Sequence, residues 1–101
     1  MKTVNKIMVS VDFSNYSFPA ARYASDLAKD VSASLLLTNV FNQKEIDMVD
    51  RAVRRFPIFT VKEYVEENLA DRRKRLEALV KKIDTGKLEV DINVWINSIH
   101  R

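Results

Sequence analysis

The most constraining feature of the 101-residue sequence is the order of apolar runs and helical periodicity in its first 41 residues. Residues 7–11 form a short apolar run that ends at Asp12, and residues 34–41 form a second. Both runs are typical of strands buried on both faces. Between them, apolar residues recur at spacings of three and four, which predicts an amphipathic helix to about Lys29. Two strands joined in this way lie parallel, with a right-handed crossover.

Capping signals delimit the helices. Ser17 is a candidate N-cap of the first helix, with Pro19 in its first turn, where a missing N–H costs nothing. Thr60 and Glu63 fit a capping box that opens a longer helix. The apolar stripe of that helix comprises Val61, Val65, Leu69, Leu76, Leu79, Val80 and Ile83. We expect it to end before Gly86, the single glycine, where a left-handed residue is favourable at a helix C-terminus.

The segment before that capping box has a helical pattern of its own. Ile46, Val49, Val53 and Phe56 are spaced by three, four and three residues, which predicts a short amphipathic helix that Pro57 stops. Packing of its apolar stripe on the sheet is the favoured interpretation. Covering a pocket or a partner is the alternative.

Residues 88–97 alternate between apolar and mostly polar side chains. Such alternation predicts a strand with one face on the core, as at a sheet edge. Trp95 falls on the otherwise polar face, either as a rim aromatic or beneath a further helix or a partner.

These elements predict an α/β fold in the order strand–helix–strand–helix–strand. Consecutive right-handed crossovers give the strand order 3-2-1 and place both helices on one face. The first two strands are apolar on both faces, yet this chain covers one face and leaves strand 1 at an edge. A doubly wound parallel sheet needs a second half. We therefore expect either a fragment or another chain that completes the sheet.

Composition argues against several kinds of site. The absence of Cys excludes disulfides, thiolate zinc sites and a Cys nucleophile. One glycine excludes the glycine-rich loops that bring backbone close to phosphate. The sole His, His100, lacks partners for a metal site, and it is far in sequence from Ser14 and Ser17, so no Ser/His/Asp arrangement is available. We predict no catalytic activity and no metal site.

Charge and hydropathy bear on partners. The chain carries 17 basic and 14 acidic residues. Its densest basic run, residues 72–75, is interleaved with acidic residues at helical spacing, which favours a solvated helix face over a nucleic-acid surface. No segment reaches the roughly 20 apolar residues of a membrane span, and the N-terminal apolar run is too short for a signal peptide. We expect a cytoplasmic protein with no nucleic-acid and no membrane partner.

The motifs resemble those of a known family. Residues 7–14 followed by Ala20-Ala21-Arg22-Tyr23-Ala24 resemble the opening of universal stress protein domains, in which a Val/Thr-Asp-Phe-Ser turn joins an apolar strand to an alanine-rich helix. Residues 35–40, Leu-Leu-Leu-Thr-Asn-Val, resemble the second strand of that family. The charged helix from Thr60 and the alternating strand from Leu88 follow in the family's order, so the resemblance spans essentially the whole chain.

This resemblance implies a Rossmann-like, adenine nucleotide alpha hydrolase-like sheet of five parallel strands in order 3-2-1-4-5, often in a dimer. It implies that Asp12 contacts a nucleoside and that the backbone at Val40 helps to hold adenine, with Ser10 and Val11 flanking the pocket. Ser10 stands where the family often has proline. Asp12 also follows a buried strand near the point where ligands bind in open α/β sheets. Capping the turn into the first helix is an equally weighted role for it.

The family binds phosphates with a glycine-rich loop after strand 4, of the form G-x2-G-x9-G-S/T, which these 101 residues do not contain. We expect residues 1–101 to form a single, truncated universal stress protein domain. It would be a non-catalytic, adenine-nucleotide-binding or stress-response module that binds ATP weakly or not at all. The alternative is a structural or interaction module that completes its sheet by oligomerisation and binds no nucleotide. The expected partner is a second copy of the chain or a missing C-terminal segment.

Overall fold

The computed structural model describes residues 5–97. Within those residues it has three strands and three helices: β1 (Lys6–Ser10), α1 (Ser17–Val31), β2 (Ser34–Asn42), α2 (Gln43–Arg55), α3 (Val61–Lys82) and β3 (Val90–Asn97). The strands are parallel, and β2 lies between β1 and β3. The α/β class and the helix predicted within residues 43–57 are confirmed, and the strand order agrees with the prediction. His100 lies outside the described residues.

The core lies between one face of the sheet and two helices, α1 and α3. Leu35 and Leu37 of β2 are completely buried at its centre. Ala21 and Ala24 of α1 pack against them from one side, and their small side chains let that helix approach the sheet closely. Leu76 of α3 is completely buried in the same cluster. Each buried leucine stabilises the fold by about 1.5–3 kcal/mol. Helices α1 and α3 both lie on this face of the sheet, as predicted.

The opposite face of the sheet has no covering element among residues 5–97. Met8 of β1 is 57% exposed there, beside Leu36 of β2. Val40 and its neighbour Trp95 of β3 are also exposed on this face. Helices therefore cover one face, and the open face carries these apolar side chains among polar ones, which on β3 are Asp91, Asn93 and Asn97.

The capping prediction for α1 is wrong in one respect. Ser17 is the first residue of the helix rather than its N-cap, a position taken by Tyr16 without a side-chain capping bond. The Ser17 hydroxyl instead donates to Asp12, which holds the preceding turn. The capping box of Thr60 and Glu63 at the start of α3 is confirmed, with both reciprocal hydrogen bonds present.

Gly86 has the predicted left-handed conformation, with φ of 57°, but at a different place in the fold. Helix α3 ends at Lys82 with an extended C-cap at Ile83, so the glycine lies further on, in the turn into β3. The left-handed C-cap belongs to Ser32, which closes α1 with φ of 58°. A sequence pattern identifies glycine as the residue that turns the chain, but not which turn it serves.

Helix α3 is about 33 Å long for its 22 residues and packs differently along its length. Its C-terminal half carries the buried Leu76 and Leu79 against the sheet. Helix α3 also contacts α2, which leaves the carboxyl end of β2 directly, and Arg72 near the middle of α3 pairs with Glu45 of α2. We call α2, residues 56–60 and residues 61–72 the helix hairpin.

Candidate functional site

A pocket of about 390 Å³ opens where the carboxyl ends of β1 and β2 meet the N-terminus of α1. Its lining residues are Ser10, Val11, Asp12, Ser14, Tyr16, Ser17, Ala20, Asn39 and Val40. The four residues singled out from the sequence, Ser10, Val11, Asp12 and Val40, therefore lie in one pocket. In open parallel sheets ligands bind at this end of the strands.

A larger cavity of about 680 Å³ lies at the other end of the sheet. It is lined by the C-terminal turn of α1 and the loop that enters β3, and Lys29 donates to the carbonyl of Asp84 at its edge. Ligands of open α/β sheets bind outside the carboxyl ends of the strands, and this cavity borders the amino ends. The smaller pocket is the candidate site.

Asp12 organises the turn that forms one wall of the pocket. Its Oδ1 accepts hydrogen bonds from the backbone N–H of Ser14 at 3.0 Å and from the hydroxyl of Ser17 at 3.1 Å. Hydrogen bonding to Ser14, and then to Ser17, holds the pKa of Asp12 below its ordinary value. A carboxylate has about four acceptor positions. Holding the turn therefore leaves acceptor capacity for a ligand.

Phe13 adopts a left-handed backbone conformation, with φ of 63°, in the middle of this turn. A bulky residue in that region costs about 1–2 kcal/mol. Its ring packs against the core, and the guanidinium of Arg75 lies 5.5 Å from the ring centroid. Strained backbone of this kind clusters at ligand sites. Sequence reasoning missed it because phenylalanine is not a turn residue.

Ser10 and Val11 fix the β1 side of the pocket. The hydroxyls of Ser10 and Thr38 are 3.1 Å apart, and the N–H of Val11 donates to the carbonyl of Thr38 at 2.8 Å. The side chain of Val11 is buried in the core, so its contribution to a ligand site is through its backbone. Val40, across the pocket, keeps an exposed side chain.

Asn39 and Arg72 brace the pocket from behind, and the sequence analysis did not select either one. The side-chain amide of Asn39 is buried and donates to the carbonyl of Val11 at 2.8 Å. Its Oδ1 accepts from Nη1 of Arg72 at 2.8 Å. Arg72 also donates to the carbonyl of Val40 at 3.3 Å, and its guanidinium lies 4.3 Å from the ring centroid of Phe41. One side chain of α3 thereby joins the ends of β1 and β2.

The prediction of a solvated face for the basic run is wrong for Arg72. Its side chain is only 18% exposed and is paired with Glu45 of α2 at 3.3 Å. Arg73 and Arg75 do lie on the exposed face and pair with acidic residues one turn away. The spacing of the sequence could have indicated this burial, because position 72 falls on the apolar stripe of α3 between Leu69 and Leu76.

The charge of the pocket limits its chemistry. Among its described lining residues, Asp12 is the only carboxylate, and none is lysine or arginine. No group of three or more His, Cys, Asp and Glu side chains within residues 5–97 is placed to hold a metal ion. In the same part of the chain, no helix combines the length and apolarity needed to cross a bilayer.

Two comparisons with known proteins gave matches. A family model, that of the universal stress protein family, matches residues 3–100. A solved structure of a universal stress protein in complex with cAMP aligns with 15% identity and a TM-score of 0.49 over 96% of this chain. The chain spans 58% of the length of that structure. A search of curated proteins found no match. Because the family model covers nearly all of the sequence, the chain belongs to the universal stress protein family.

Proposed function

We propose that the chain is a non-catalytic, cytoplasmic stress-response module whose pocket takes the adenine and ribose of an adenine nucleotide. The observation that carries this proposal is the meeting of Ser10, Val11, Asp12 and Val40 in one pocket at the carboxyl ends of β1 and β2. Membership of the universal stress protein family also supports it. A volume of about 390 Å³ falls within the range of small-ligand sites.

The chemistry of the lining suits a nucleoside. The Asp12 carboxylate accepts hydrogen bonds, and ribose hydroxyls donate them. The exposed side chain of Val40 offers apolar surface to a base. Arg72 fixes the Val40 carbonyl and the Asn39 amide, so both walls of the pocket are preorganised.

Electrostatics favour the nucleoside over the phosphates. The pocket lining has one negative charge at Asp12 and no lysine or arginine among its described residues. Each added phosphate brings negative charge close to that carboxylate, and the nearby cation, Arg72, is already engaged with Asn39, Val40 and Glu45. The glycines of the family's phosphate loop are not among these 101 residues. We therefore propose that adenosine binds at least as tightly as ATP, and that ATP binds weakly or not at all.

Titration calorimetry with adenosine, ATP and guanosine tests this proposal. Asp12→Asn keeps the side-chain shape and an acceptor oxygen for the turn while removing the charge. We expect it to weaken adenosine binding by roughly tenfold or more, the usual effect of losing a hydrogen bond to a charged group. Asp26→Asn, on the exposed side of α1, is the matched control and leaves affinity unchanged.

Two outcomes contradict the proposal. In the first, the wild-type chain binds neither adenosine nor ATP, which shows that it has no nucleoside site. ATP that binds at micromolar concentration or tighter, well below the concentration needed for adenosine, requires phosphate contacts that the pocket does not supply.

A second function, assembly through the sheet, is favoured by the uncovered face. Met8, Val40 and Trp95 are exposed on it without a helix of residues 5–97 above them. Covering this face with a second copy removes apolar surface from water. Light scattering after size exclusion gives the mass directly. A dimer that Trp95→Ser dissociates supports assembly, and a monomer at all concentrations contradicts it.

A further inference from the structure

The outer side of α2 carries a strip of basic and apolar side chains. Lys44, Met48, Arg51 and Arg55 recur at spacings of four, three and four, on the side opposite the buried Ile46. Phe56 and Ile58 follow directly at the turn of the hairpin; the prediction that Phe56 continues the Ile46 stripe is wrong, because Phe56 lies beyond the last helical residue and is exposed. We call these residues the basic–apolar strip: Lys44, Met48, Arg51, Arg55, Phe56 and Ile58.

Two of the three acidic residues of α2 are paired with cations outside the strip. Glu45 pairs with Arg72, and Asp50 pairs with Arg54. Asp47 accepts a hydrogen bond from the neutral Gln43, so α2 keeps one unpaired negative charge against the three cations of the strip. Within residues 5–97, no ion pair involves the three cations of the strip. Three cations therefore face solvent together on one helix.

The apolar members of the strip are among the most exposed large apolar side chains of the described chain. Met48 is 62% exposed, Phe56 69% and Ile58 83%. Exposed apolar side chains clustered beside charged ones mark a surface that meets another phase or molecule. The turn itself is well formed, since Phe59 stacks on Tyr64 with ring centroids 6.3 Å apart. Phe56 and Ile58 are thus held outward by an ordered turn.

The other side of the hairpin has the opposite charge. Glu63, Glu66 and Glu67 are exposed on α3, on the side of that helix away from its apolar stripe. The exposed charges therefore differ between the two helices of the hairpin, with basic and apolar side chains on α2 and acidic ones on α3, where Lys62 pairs with Glu66. A negatively charged surface orients such an element with α2 toward it.

We propose that the basic–apolar strip docks on an anionic phospholipid surface. Lys44, Arg51 and Arg55 contact lipid phosphates, while the side chains of Phe56 and Ile58 enter the boundary between headgroups and acyl chains. The expectation of no membrane partner rested on the lack of a spanning segment, which peripheral docking does not need. This proposal does not depend on the nucleotide pocket.

Two other occupants fit the strip less well. A nucleic acid takes the three cations but leaves Met48 and Ile58 without a partner, since neither side chain stacks on bases. A second copy related by a two-fold axis brings the same cations face to face, which is unfavourable. A lipid surface satisfies the charged and the apolar members together.

Vesicle co-sedimentation tests the proposal with two lipid compositions. One is phosphatidylcholine alone, and the other contains roughly one-third phosphatidylserine, which gives the anionic surface. We expect binding to the anionic vesicles at low salt and none to the neutral ones. The triple variant Lys44→Gln/Arg51→Gln/Arg55→Gln should weaken binding about a hundredfold, since each cation near such a surface contributes about fivefold.

The matched control removes three exposed cations elsewhere: Lys74→Gln/Lys81→Gln/Lys87→Gln. It makes the same change in net charge and should bind within about twofold of wild type. Phe56→Ser/Ile58→Ser keeps the charge and should also weaken binding. Circular dichroism on all variants shows that each is folded.

Three results would overturn the proposal. In the first, wild-type chain leaves anionic vesicles unbound at low salt. In the second, the control triple variant loses as much affinity as the strip variant, which indicates attraction by net charge alone. In the third, the strip variants abolish self-association or binding to mixed-sequence DNA while vesicle binding is unchanged, which assigns the strip to another occupant.

Discussion

The sheet core and the helix hairpin are held together by different kinds of contact. In the core, Leu35, Leu37 and Leu76 are completely buried against one another across the sheet and two helices. In the hairpin, Ile46 is the buried residue of α2, and Arg72 supplies the contacts to β2 and to Glu45. The core is stabilised by many apolar contacts, which do not depend on direction. The hairpin depends on a few directional ones.

The largest expected effect compares two leucines on the same helix. Leu76→Ala leaves a cavity in the core and should lower the free energy of unfolding by about 2–5 kcal/mol. Leu69→Ala, in the half-buried part of α3, should cost about 1–2 kcal/mol because less apolar surface is lost. Urea denaturation of both variants measures the difference. Equal losses would show that the hairpin is packed as tightly as the core.

The second prediction removes the polar contacts that join the hairpin to the pocket. Arg72→Met leaves the buried Oδ1 of Asn39 without its donor, so unfolding should become easier by about 1–3 kcal/mol. Arg73→Met, one residue on, breaks an exposed pair with Glu77 and should change stability by less than about 1 kcal/mol. Denaturation of the pair checks this. Identical denaturation curves for the two variants would show that the contacts of Arg72 do not stabilise the fold.

The third prediction concerns a smaller loss of stability and tests whether the hairpin unfolds separately from the core. Thr60→Ala removes the capping hydroxyl of α3 and should cost about 1 kcal/mol. Because this end of α3 belongs to the hairpin, hydrogen exchange should accelerate at residues 63–66, the first hydrogen-bonded amides of the helix, and not at Leu35 or Leu37. Thr60→Ser keeps the hydroxyl and should restore protection. Uniform acceleration throughout the sheet would show that hairpin and core unfold as one unit.

The smallest effect is the pH dependence contributed by Asp12. Its pKa is lowered in the folded chain, so its hydrogen bonds to Ser14 and Ser17 stabilise the fold above the pKa of the unfolded carboxyl, about 3.9. That contribution is lost as the pH falls through the lower folded value. The stability difference between wild type and Asp12→Asn should therefore shrink from pH 6 toward pH 3. A difference that grows in acid would contradict the direction of the pKa change.

The helices and strands with a regular apolar pattern could be predicted from the sequence. The contacts of polar side chains that have several possible hydrogen-bond partners could not. The apolar runs that contain Leu35 and Leu37 identify β2 because burial on a sheet leaves few alternatives. Ser17 has a hydroxyl that serves equally as a helix cap or as a donor to Asp12, and tertiary geometry decides between them. The left-handed Phe13 follows from the hydrogen bonds of Asp12 around it.

The candidate site shows the same division. Strand ends and family motifs placed Ser10, Val11, Asp12 and Val40, since the carboxyl ends of neighbouring parallel strands meet at one edge. Arg72 is 32 residues away from Val40 in sequence, within a run of charges that is exposed at its other members. Its role could not be predicted because it depends on the Arg72 side chain pointing toward β2, whereas Arg73 and Arg75 in the same run point to solvent.

Chemical-shift mapping with adenosine tests the central claim most directly. On titration of ¹⁵N-labelled chain, we predict shifts at the amides of Ser10, Val11, Asp12 and Val40, with little change around Lys29 and Gly86 at the opposite cavity. Asp12→Asn should reduce the shifts at a given adenosine concentration. Shifts confined to the cavity beside Lys29 and Gly86, or no shifts with adenosine at millimolar concentration, would contradict a nucleoside site at the ends of β1 and β2.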